Sequence, residues 1–345
     1  MITPIFKNGS KMNPGDYRGI SVQSCLSKLF SFVLNQRILR KEQLGFIAGN
    51  RTSDAHLILQ TLIQLNCHKK GQKIFSCFID FKKAFDSIPR DILLQKLLNI
   101  GISGKIFNVL KTLYLNDRCC VKLDGKLTNT FVANQGVKQG CILSPLLFNI
   151  FLADITEQFT NEQCKPIKID HSNSLGSLIW ADDILLLSET EEGLRCMLQN
   201  LSQYSENNGM EINIQKTKCM IFNKSGRFLK RSFKLKDETI YTTNSYKYLG
   251  FMITPSGELT TGLNDLKDRA LRAYYKLKNK MGHYFRLYPD VTICMLDALV
   301  KPILLYNSDF WGCLKMPKNN PLENAHMRLC KDRDVGEIFK LLKSI

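Results

Sequence analysis

The chain has 345 residues, of which 44% are hydrophobic, and its 48 Lys and Arg residues exceed its 31 Asp and Glu residues to give a formal net charge of +17. This length suits one large multi-lobed domain or two to three subdomains, and the apolar content is sufficient for a buried core. The positive charge favours binding to an acidic polymer, most commonly nucleic acid, over the alternative that the charge only keeps the protein soluble.

The twelve cysteines include no CxxC pair and no Cys/His cluster with zinc-ligand spacing, so we interpret them as small core residues in a reducing environment. No segment approaches the roughly 18 consecutive apolar residues of a transmembrane helix. Charged residues from Lys7 onward interrupt the N-terminus too early for a signal peptide. We therefore expect an intracellular protein of the nucleus and cytoplasm, without a membrane anchor.

In chain order, a basic loop broken by glycines opens the sequence. Two helices are predicted next, over residues 24–40 and 53–68, with Ser53 as the N-cap of the second. The apolar run at 74–79 has no charge and predicts a buried strand, which ends at Asp80.

Residues 76–225 alternate helical and strand-like patterns, which predicts an α+β arrangement of strands packed under helices. Helices are predicted over residues 89–99, 105–116, 144–159 and 191–208. Ser87 is the expected cap of the first of these helices. Asp124-Gly125 between short strand-like segments predicts a hairpin.

Asp182 and Asp183 stand at the centre of a strongly apolar run, residues 177–187. Burying ionised carboxylates without partners is very costly, and a divalent cation is a suitable partner. We predict a β-hairpin whose tight turn carries both side chains toward a metal. Asp80, at the end of its own strand, supplies a third carboxylate, which suits Mg²⁺ because that ion prefers oxygen ligands.

Residues 226–257 alternate polar and apolar positions and predict short strands, and residues 258–345 are helix-rich and basic. One predicted helix carries Lys267, Arg269, Arg272, Lys276, Lys278 and Lys280. This basic face fits either contact with a nucleic-acid backbone or an ordinary solvated helix, and the sequence leaves both open.

Motif segments occur in the order of a known family. They are residues 2–7, 16–21, 43–46 and 50–55, then FIDFKKAFD at 78–86, GVKQGCILSPLLFN at 136–149, ADD at 181–183, residues 213–222 and YLG at 248–250. Together they resemble the reverse transcriptase domain of non-LTR (LINE-type) retrotransposons, with motifs A, B and C at 78–86, 136–149 and 181–183.

The resemblance implies a right-hand polymerase fold of the α+β class. It implies partial fingers at 1–75, a palm at 76–225, primer-grip-like strands at 226–257 and a helical thumb-like region at 258–345. The upstream fingers are expected to be missing, because the sequence starts within the fingers segment. Trp180 departs from the Tyr or Phe that the family usually has there, and it retains an aromatic ring.

The resemblance also implies a role for each matching residue. Asp80, Asp182 and Asp183 would be catalytic ligands of two Mg²⁺ ions, with Mn²⁺ as an alternative. The substrate-binding residues would be Lys7, Arg18, Phe85, Gln139, Gly140 and Lys218. Lys216 is an alternative to Lys218, and the primer-binding residues would be Trp180, Tyr248, Leu249 and Gly250. Asp86 is better explained as a cap of the helix from Ser87 than as a ligand.

The implied function is RNA-directed DNA polymerisation, which adds dNTPs to the 3′-hydroxyl of a DNA primer on an RNA template. A different class of function is an inactive nucleic-acid-binding remnant of a truncated retroelement. A maturase-like polymerase and a two-metal nuclease are weaker alternatives, since Cys141 argues against the first and motif B would be unexplained in the second.

Overall fold

The computed structural model describes residues 2–7, 9–21, 51–67, 71–115, 117–170, 173–314, 317 and 320–325. The helix predicted over residues 24–40 and the motif segment at 43–46 lie outside these residues. Strands and helices are mixed along the described chain, which confirms the α+β class. None of the helices in these ranges is both long enough and apolar enough to cross a membrane.

The α-helices of the described residues are α1 (Thr52–Cys67), α2 (Ala84–Ser87), α3 (Arg90–Asn99), α4 (Gly104–Leu115), α5 (Ser144–Leu152), α6 (Glu191–Asn207), α7 (Thr260–Met281), α8 (Tyr284–Leu287), α9 (Pro289–Leu299), α10 (Lys301–Leu304) and α11 (Ser308–Trp311). Short 3-10 helices span Pro14–Asp16, Ala153–Phe159 and Glu162–Cys164.

The strands are β1 (Ile2–Phe6), β2 (Tyr17–Ser21), β3 (Lys73–Ile79), β4 (Arg118–Cys119), β5 (Lys122–Leu123), β6 (Lys126–Leu127), β7 (Phe131–Val132), β8 (Ile167–Lys168), β9 (Ser174–Leu175), β10 (Ser177–Trp180), β11 (Asp183–Ser188), β12 (Lys218–Asn223), β13 (Ser232–Leu235), β14 (Glu238–Tyr241), β15 (Tyr246–Tyr248) and β16 (Phe251–Ile253). The largest sheet has the order β10-β11-β3-β12, and the other pairs form two-stranded ribbons.

The chain folds into two compact units, and each is built from separate segments of sequence. The first unit contains Met1–Asn50, Phe75–Cys219 and Ser232–Tyr241. The second contains Arg51–Ile74, Met220–Arg231 and Thr242–Ile345. The expected fingers, palm, primer-grip and thumb segments follow chain order instead, and this subdivision stays a prediction.

In the first unit the core gathers the inner strands and the helices that pack on them. β11 is the most buried strand, since every residue after Asp183 is inaccessible or nearly so. Helix α6 buries Leu194, Met197, Leu198 and Leu201, the i, i+3, i+4, i+7 pattern of one helix face. These apolar contacts fix the sheet on which the candidate site is built.

The predicted helices occur within about two residues of their expected ends, the usual uncertainty of such boundaries. Residues 144–159 form an α-helix only as far as Leu152 and continue as the 3-10 helix Ala153–Phe159. The predicted hairpin is confirmed, because β5 pairs with β6 around Asp124 and Gly125, both of which have positive φ.

Two predicted N-caps were wrong. Helix α1 already begins at Thr52, and the carboxylate of Asp54 accepts the Arg51 N–H at this end. Ser87 belongs to the short helix α2, and Pro89 is the residue that precedes α3. The rigid φ of proline starts the helix without a side-chain hydrogen bond.

A buried ionic cluster supports the segment that contains motif B. The Arg90 guanidinium donates from Nε to the Gly136 carbonyl at 2.9 Å, and from Nη1 to the carbonyls of Tyr114 and Ala133. Its Nη2 lies 3.2 Å from Asp117 Oδ2. The other Asp117 oxygen is 2.9 Å from Lys138 Nζ, two residues before Gly140.

In the second unit, helix α7 buries one face against the β15–β16 hairpin and the shorter helices that follow it. Its buried residues include Leu263, Leu266, Ala270 and Tyr274. Tyr274 and Phe285 meet edge to face with ring centroids 5.9 Å apart. The hairpin is therefore held against a helical layer within its own unit.

Because removing one partner of a buried ion pair leaves an uncompensated charge, Asp117→Ala should lower the free energy of unfolding by about 3–5 kcal/mol. Urea unfolding followed by circular dichroism measures this change. The matched control is Glu206→Ala, which removes an exposed pair with Lys236 in the same unit and should cost under about 1 kcal/mol. Equal costs for both variants would contradict the role given to the cluster.

Candidate active site

A tight hairpin carries the acidic doublet. β10 pairs with β11 in antiparallel register, with Trp180 opposite Asp183. The turn therefore consists of Ala181 and Asp182, and Ala181 has a φ of 55°. Glycine is the usual residue at a positive φ, so this alanine is a point of backbone strain. The predicted hairpin is confirmed, with the difference that Asp183 opens the strand instead of lying in the turn.

The sheet register brings the third carboxylate to the same place. Ile184 of β11 pairs with Ile79 of β3. The residues that follow this pair at the same end of the two strands are Asp183 and Asp80, and the charge of Asp80 acts on the pKa of Asp183. Two residues separated by about a hundred positions in sequence are thus adjacent in the fold.

The ionised forms of Asp182 and Asp183 are disfavoured at this site. Burial raises the pKa of Asp183 to about 7, and the negative charges of Asp182 and Asp80 add to the effect. Burial is also the largest cause of the raised pKa of Asp182, with a further increase from Asp80. Lys216 opposes the shift at both residues, and Arg18 opposes it at Asp182. This arrangement favours an additional positive charge.

The backbone around Asp80 is firmly bound, whereas its carboxylate is not. The Asp80 carbonyl accepts the Asn213 N–H at 2.7 Å, and its N–H donates to the Thr217 hydroxyl at 3.3 Å. Oδ2 lies 3.3 Å from Lys216 Nζ as an ion pair, but it is buried without a partner in hydrogen-bond geometry within the described residues. The structure thus brings Lys216 to the site, and Lys218, which begins β12, forms no ion pair there among the described contacts.

The donor chemistry of Asp80, Asp182 and Asp183 fits a hard divalent cation. All three supply carboxylate oxygens, and none of the residues that the structure describes gives the buried Asp80 Oδ2 a hydrogen bond. Across the described ranges, no three Asp, Glu, His or Cys side chains form a preassembled metal-binding group. Electrostatic interaction nonetheless shows that the three carboxyl groups are near neighbours, which a cation could draw together.

The β1–β2 hairpin is joined to motif B by its backbone. The Ser21 N–H donates to the Gln139 carbonyl at 2.8 Å. Gly140 has a φ of 93°, and a Cβ placed there would lie 3.2 Å from the Ser21 carbonyl oxygen. A side chain would push the hairpin away, so the glycine permits the close approach. Through this junction Arg18, on β2, reaches the electrostatic environment of Asp182.

Gln139 has a defined partner in motif A. Its Nε2 donates to Asp86 Oδ1 at 2.8 Å. Asp86 keeps an exposed side, yet burial of its carboxyl raises its pKa, against the opposing effects of Gln139 and of nearby Lys7 and Arg18. The predicted capping of a helix from Ser87 by Asp86 was wrong, because both residues lie inside α2.

Phe85 lies in a parallel stack with a core residue. Its ring and that of Phe148 have centroids 4.5 Å apart and planes 9° from parallel, and Phe148 is fully buried. The Phe85 carbonyl also accepts the Val137 N–H at 2.8 Å. Phe85 itself remains half-buried, so a rigid partner fixes a ring that still has an open side.

The expected primer-binding residues fall in both units. Trp180 is half-buried and pairs with Asp183 in the first unit. Tyr248, Leu249 and Gly250 close the β15–β16 hairpin of the second unit, with Tyr248 buried.

Sequence reasoning missed the support of Asp80 by Thr217 and gave Lys216 no preference over Lys218. It also missed the Arg90 cluster beneath motif B. The only signal in the sequence was a single polar residue within an apolar segment, which indicates that the residue is buried. Such a pattern does not show which residues it contacts.

Comparisons with known proteins agree on one family. Residues 5–253 match the family described as reverse transcriptase (RNA-dependent DNA polymerase). The probable RNA-directed DNA polymerase from transposon BS of Drosophila melanogaster is 28% identical over an alignment that covers 93% of this chain and 36% of that protein. The Pol polyprotein of the type-1 retrotransposable element R2 of Nasonia vitripennis is 24% identical, with 80% and 28% covered.

The RNA-directed DNA polymerase from mobile element jockey of Drosophila funebris is also 24% identical, with 90% of this chain and 35% of that protein covered. The chain thus spans between 28% and 36% of the length of these curated relatives. Among solved structures, apo telomerase from Candida tropicalis matches with a TM-score of 0.54 and 14% identity, over 96% of this chain and 61% of that one. This likeness concerns the fold alone, and it confirms the right-hand polymerase class.

The family match covers most of the chain, and its curated relatives are polymerases of retrotransposable elements. The chain therefore belongs to the reverse transcriptase family, in the group found in non-LTR retrotransposons.

Proposed function

We propose that this chain is the polymerising part of a reverse transcriptase, which extends the 3′-hydroxyl of a DNA primer with dNTPs along an RNA template. The observation that carries the proposal is the meeting of Asp80 with Asp182 and Asp183 at one end of the sheet, in a chain of this family. A basic protein of net charge +17 suits both nucleic-acid partners. Such a reaction fits the nucleus and cytoplasm, where its templates and targets are found.

Reverse transcriptases generally use divalent metal ions. In this chain Asp80, Asp182 and Asp183 would hold two Mg²⁺ ions, or Mn²⁺ in their place. Bound there, the ions would supply acidification of the primer hydroxyl and neutralisation of the triphosphate. The raised pKa of Asp183 supports this assignment, since neighbouring negative charges make the site favourable to cations.

The remaining residues would bind and orient the nucleotide. Lys7 and Arg18 would pair with the triphosphate, because Arg offers a planar fork to phosphate oxygens and Lys a compact charge. Lys216 is better placed than Lys218 to assist the departing pyrophosphate, since it already reaches Asp80. Gln139 and Gly140 would lie against the nucleotide and the template.

Phe85 would exclude ribonucleotides, because the 2′-hydroxyl of a ribose would clash with its ring. The stack with Phe148 would hold that ring in place. Trp180 and the turn Tyr248-Leu249-Gly250 would position the primer terminus. These assignments follow the motif positions, and the contacts described above are compatible with each.

The competing function is nucleic-acid binding without polymerisation, which the positive charge alone would support. Primer extension on poly(rA)/oligo(dT) with Mg²⁺ separates the two functions. Template binding without incorporation of dTTP would favour the binding protein.

The variant Asp182→Asn should lower dTTP incorporation by at least about 10²-fold, the scale expected when charge stabilisation of a transition state is lost. Filter binding of the primer–template should change little, because the substitution leaves the basic surface intact. Asp91→Asn, an exposed aspartate of α3, is the matched control and should retain full activity. Full activity of Asp182→Asn would exclude the proposed metal ligand.

The variant Phe85→Ala should raise UTP incorporation relative to dTTP by about tenfold to a hundredfold, because a pocket that loses a blocking ring discriminates poorly against an added hydroxyl. The ratio of the two kcat/KM values measures the effect. Phe131→Ala removes an exposed ring of the same unit and should leave the ratio unchanged. An unaltered ratio in Phe85→Ala would show that the ring only packs against Phe148.

The raised pKa of Asp183 has a consequence for stability. The carboxyl costs no free energy below the ordinary pKa of Asp, near 3.8, and the cost grows until the pH passes its folded pKa of about 7. In EDTA, Asp183→Asn should therefore stabilise the protein more at pH 8 than at pH 5.5. The expected difference is about 1–2 kcal/mol, because roughly half of the cost is already present at pH 5.5 and partial contact with solvent reduces the remainder.

Thermal unfolding at both pH values measures this effect, and Asp91→Asn again serves as the control. Mg²⁺ should raise the melting temperature of the unmodified chain at pH 8 more than that of Asp183→Asn, since binding to the folded state stabilises it. A gain from Asp183→Asn that is independent of pH would contradict the proposed repulsion.

A further inference from the structure

The turn of the β15–β16 hairpin is held in an unfavourable backbone conformation. Tyr248 pairs with Phe251, so Leu249 and Gly250 form a two-residue turn. Their φ angles are 40° and 82°, both in the left-handed region. Glycine adopts this region freely, whereas a leucine there is strained because its Cβ approaches the following carbonyl oxygen. Contacts from the rest of the second unit must therefore keep the turn in place.

Each carbonyl of Tyr248, Leu249 and Gly250 is bound by a different side chain. His56 Nε2 in α1 lies 2.9 Å from the Tyr248 oxygen and donates to it in the tautomer whose Nδ1 accepts from the Asn307 amide. The Tyr306 hydroxyl donates to the Leu249 oxygen at 2.7 Å, and Arg269 Nη1 in α7 donates to the Gly250 oxygen at 3.2 Å. Three separate segments of the unit thus converge on three consecutive peptide groups.

Other residues fix these donors in turn. The buried His56 ring lies among the rings of Tyr248, Phe251 and Phe310, at centroid distances of 5.3–5.8 Å. The side-chain amide of Asn307 lies 3.2 Å from its Nδ1. The donors are therefore held rigidly, as expected for groups that set a geometry.

Two further contacts act on the other donors. Trp311 Nε1 donates to the Tyr306 carbonyl at 2.8 Å, and Asp265 lies 3.5 Å from the Arg269 guanidinium. The Tyr306 ring also packs directly on the turn, because a Cβ at Gly250 would lie 2.9 Å from its hydroxyl oxygen.

We propose that His56, Tyr306 and Arg269 are positioning residues that hold the Tyr248–Gly250 backbone in the conformation needed to contact the end of the DNA primer. The inference rests on the proposed function, in which this turn lies at the primer terminus. In a trans peptide the C=O and N–H groups point in opposite directions. Protein donors at the Tyr248 and Leu249 carbonyls therefore fix the directions of the Leu249 and Gly250 N–H groups, which in this proposal meet the negatively charged strand.

The test compares Tyr306→Phe, which removes one hydroxyl and keeps the ring, with Tyr275→Phe, which changes an exposed tyrosine of α7 in the same unit. The probe is a DNA primer with 4-thiothymidine at its 3′ end, annealed to an RNA template. Photocrosslinking to residues 246–253 is measured with the rate constant for a single nucleotide addition per active molecule.

Tyr306→Phe should reduce the crosslink to this peptide and lower the rate constant about fivefold to tenfold, the effect of losing one hydrogen bond that orients a reacting group. The affinity for the duplex should stay within about twofold, because the charged contacts remain. Tyr275→Phe should behave as the unmodified chain in every measurement.

Arg269 supplies a second, independent variant. Arg269→Gln should lower the rate constant as Tyr306→Phe does, and Arg269→Lys, which keeps a charged donor, should recover part of it. A role in stability alone would reduce the melting temperature or the active fraction while leaving the crosslink and the rate per active molecule unchanged. That result would overturn the inference.

The outcomes separate this inference from the proposed function. A chain that crosslinks through the turn but adds no nucleotide would refute polymerisation, and the crosslink yields of the variants would still decide the positioning role. Normal addition by the unmodified chain, with Tyr306→Phe equal to Tyr275→Phe in rate and crosslink, would refute the positioning role alone. Absence of any crosslink to residues 246–253 would also refute it.

Discussion

The proximity of three carboxylates is the constraint on which the candidate site depends. Asp80 and Asp183 lie near each other because β3 and β11 pair in a fixed register up to Ile79 and Ile184, and a slip of one residue would send one of them to the opposite face. The buried strands supply the free energy that holds this unfavourable arrangement, since Leu185, Leu186 and Leu187 have no accessible surface. Apolar packing of the strands thus holds mutually repelling carboxylates near one another.

Around motif B, contacts in the protein interior likewise hold charged and polar residues in a defined arrangement. Arg90 and Asp117 are charged residues in the interior, and they bind the backbone that leads to Gln139. Gln139 then reaches Asp86, and its carbonyl holds Ser21 on the β1–β2 hairpin. Basic residues on a small exposed hairpin are in this way connected to the rigid core, which a hairpin could not achieve by its own packing.

The sequence was sufficient for the elements and for the acidic site, because both produce local patterns. An apolar run interrupted by Asp182 and Asp183 has few explanations, and periodicity identified α6 almost to the residue. The choice between Lys216 and Lys218 could not be made, since both are lysines near the same strand and only the turn after Asn213 directs one of them to Asp80. The ionic partners of Arg90 were also out of reach, because sequence spacing says nothing about contacts across the chain.

The interleaving of the two units has a consequence for synthesis. His56 binds the carbonyl of a residue 192 positions later, so helix α1 cannot complete its unit until that segment has left the ribosome. At about 5–20 residues per second this delay is roughly ten to forty seconds. Meanwhile Leu59, Leu62 and Ile63, which are buried in the finished fold, have no partner from the later segments. A nascent chain with this topology would be expected to engage a chaperone through α1 before the second unit, to which α1 belongs, is complete.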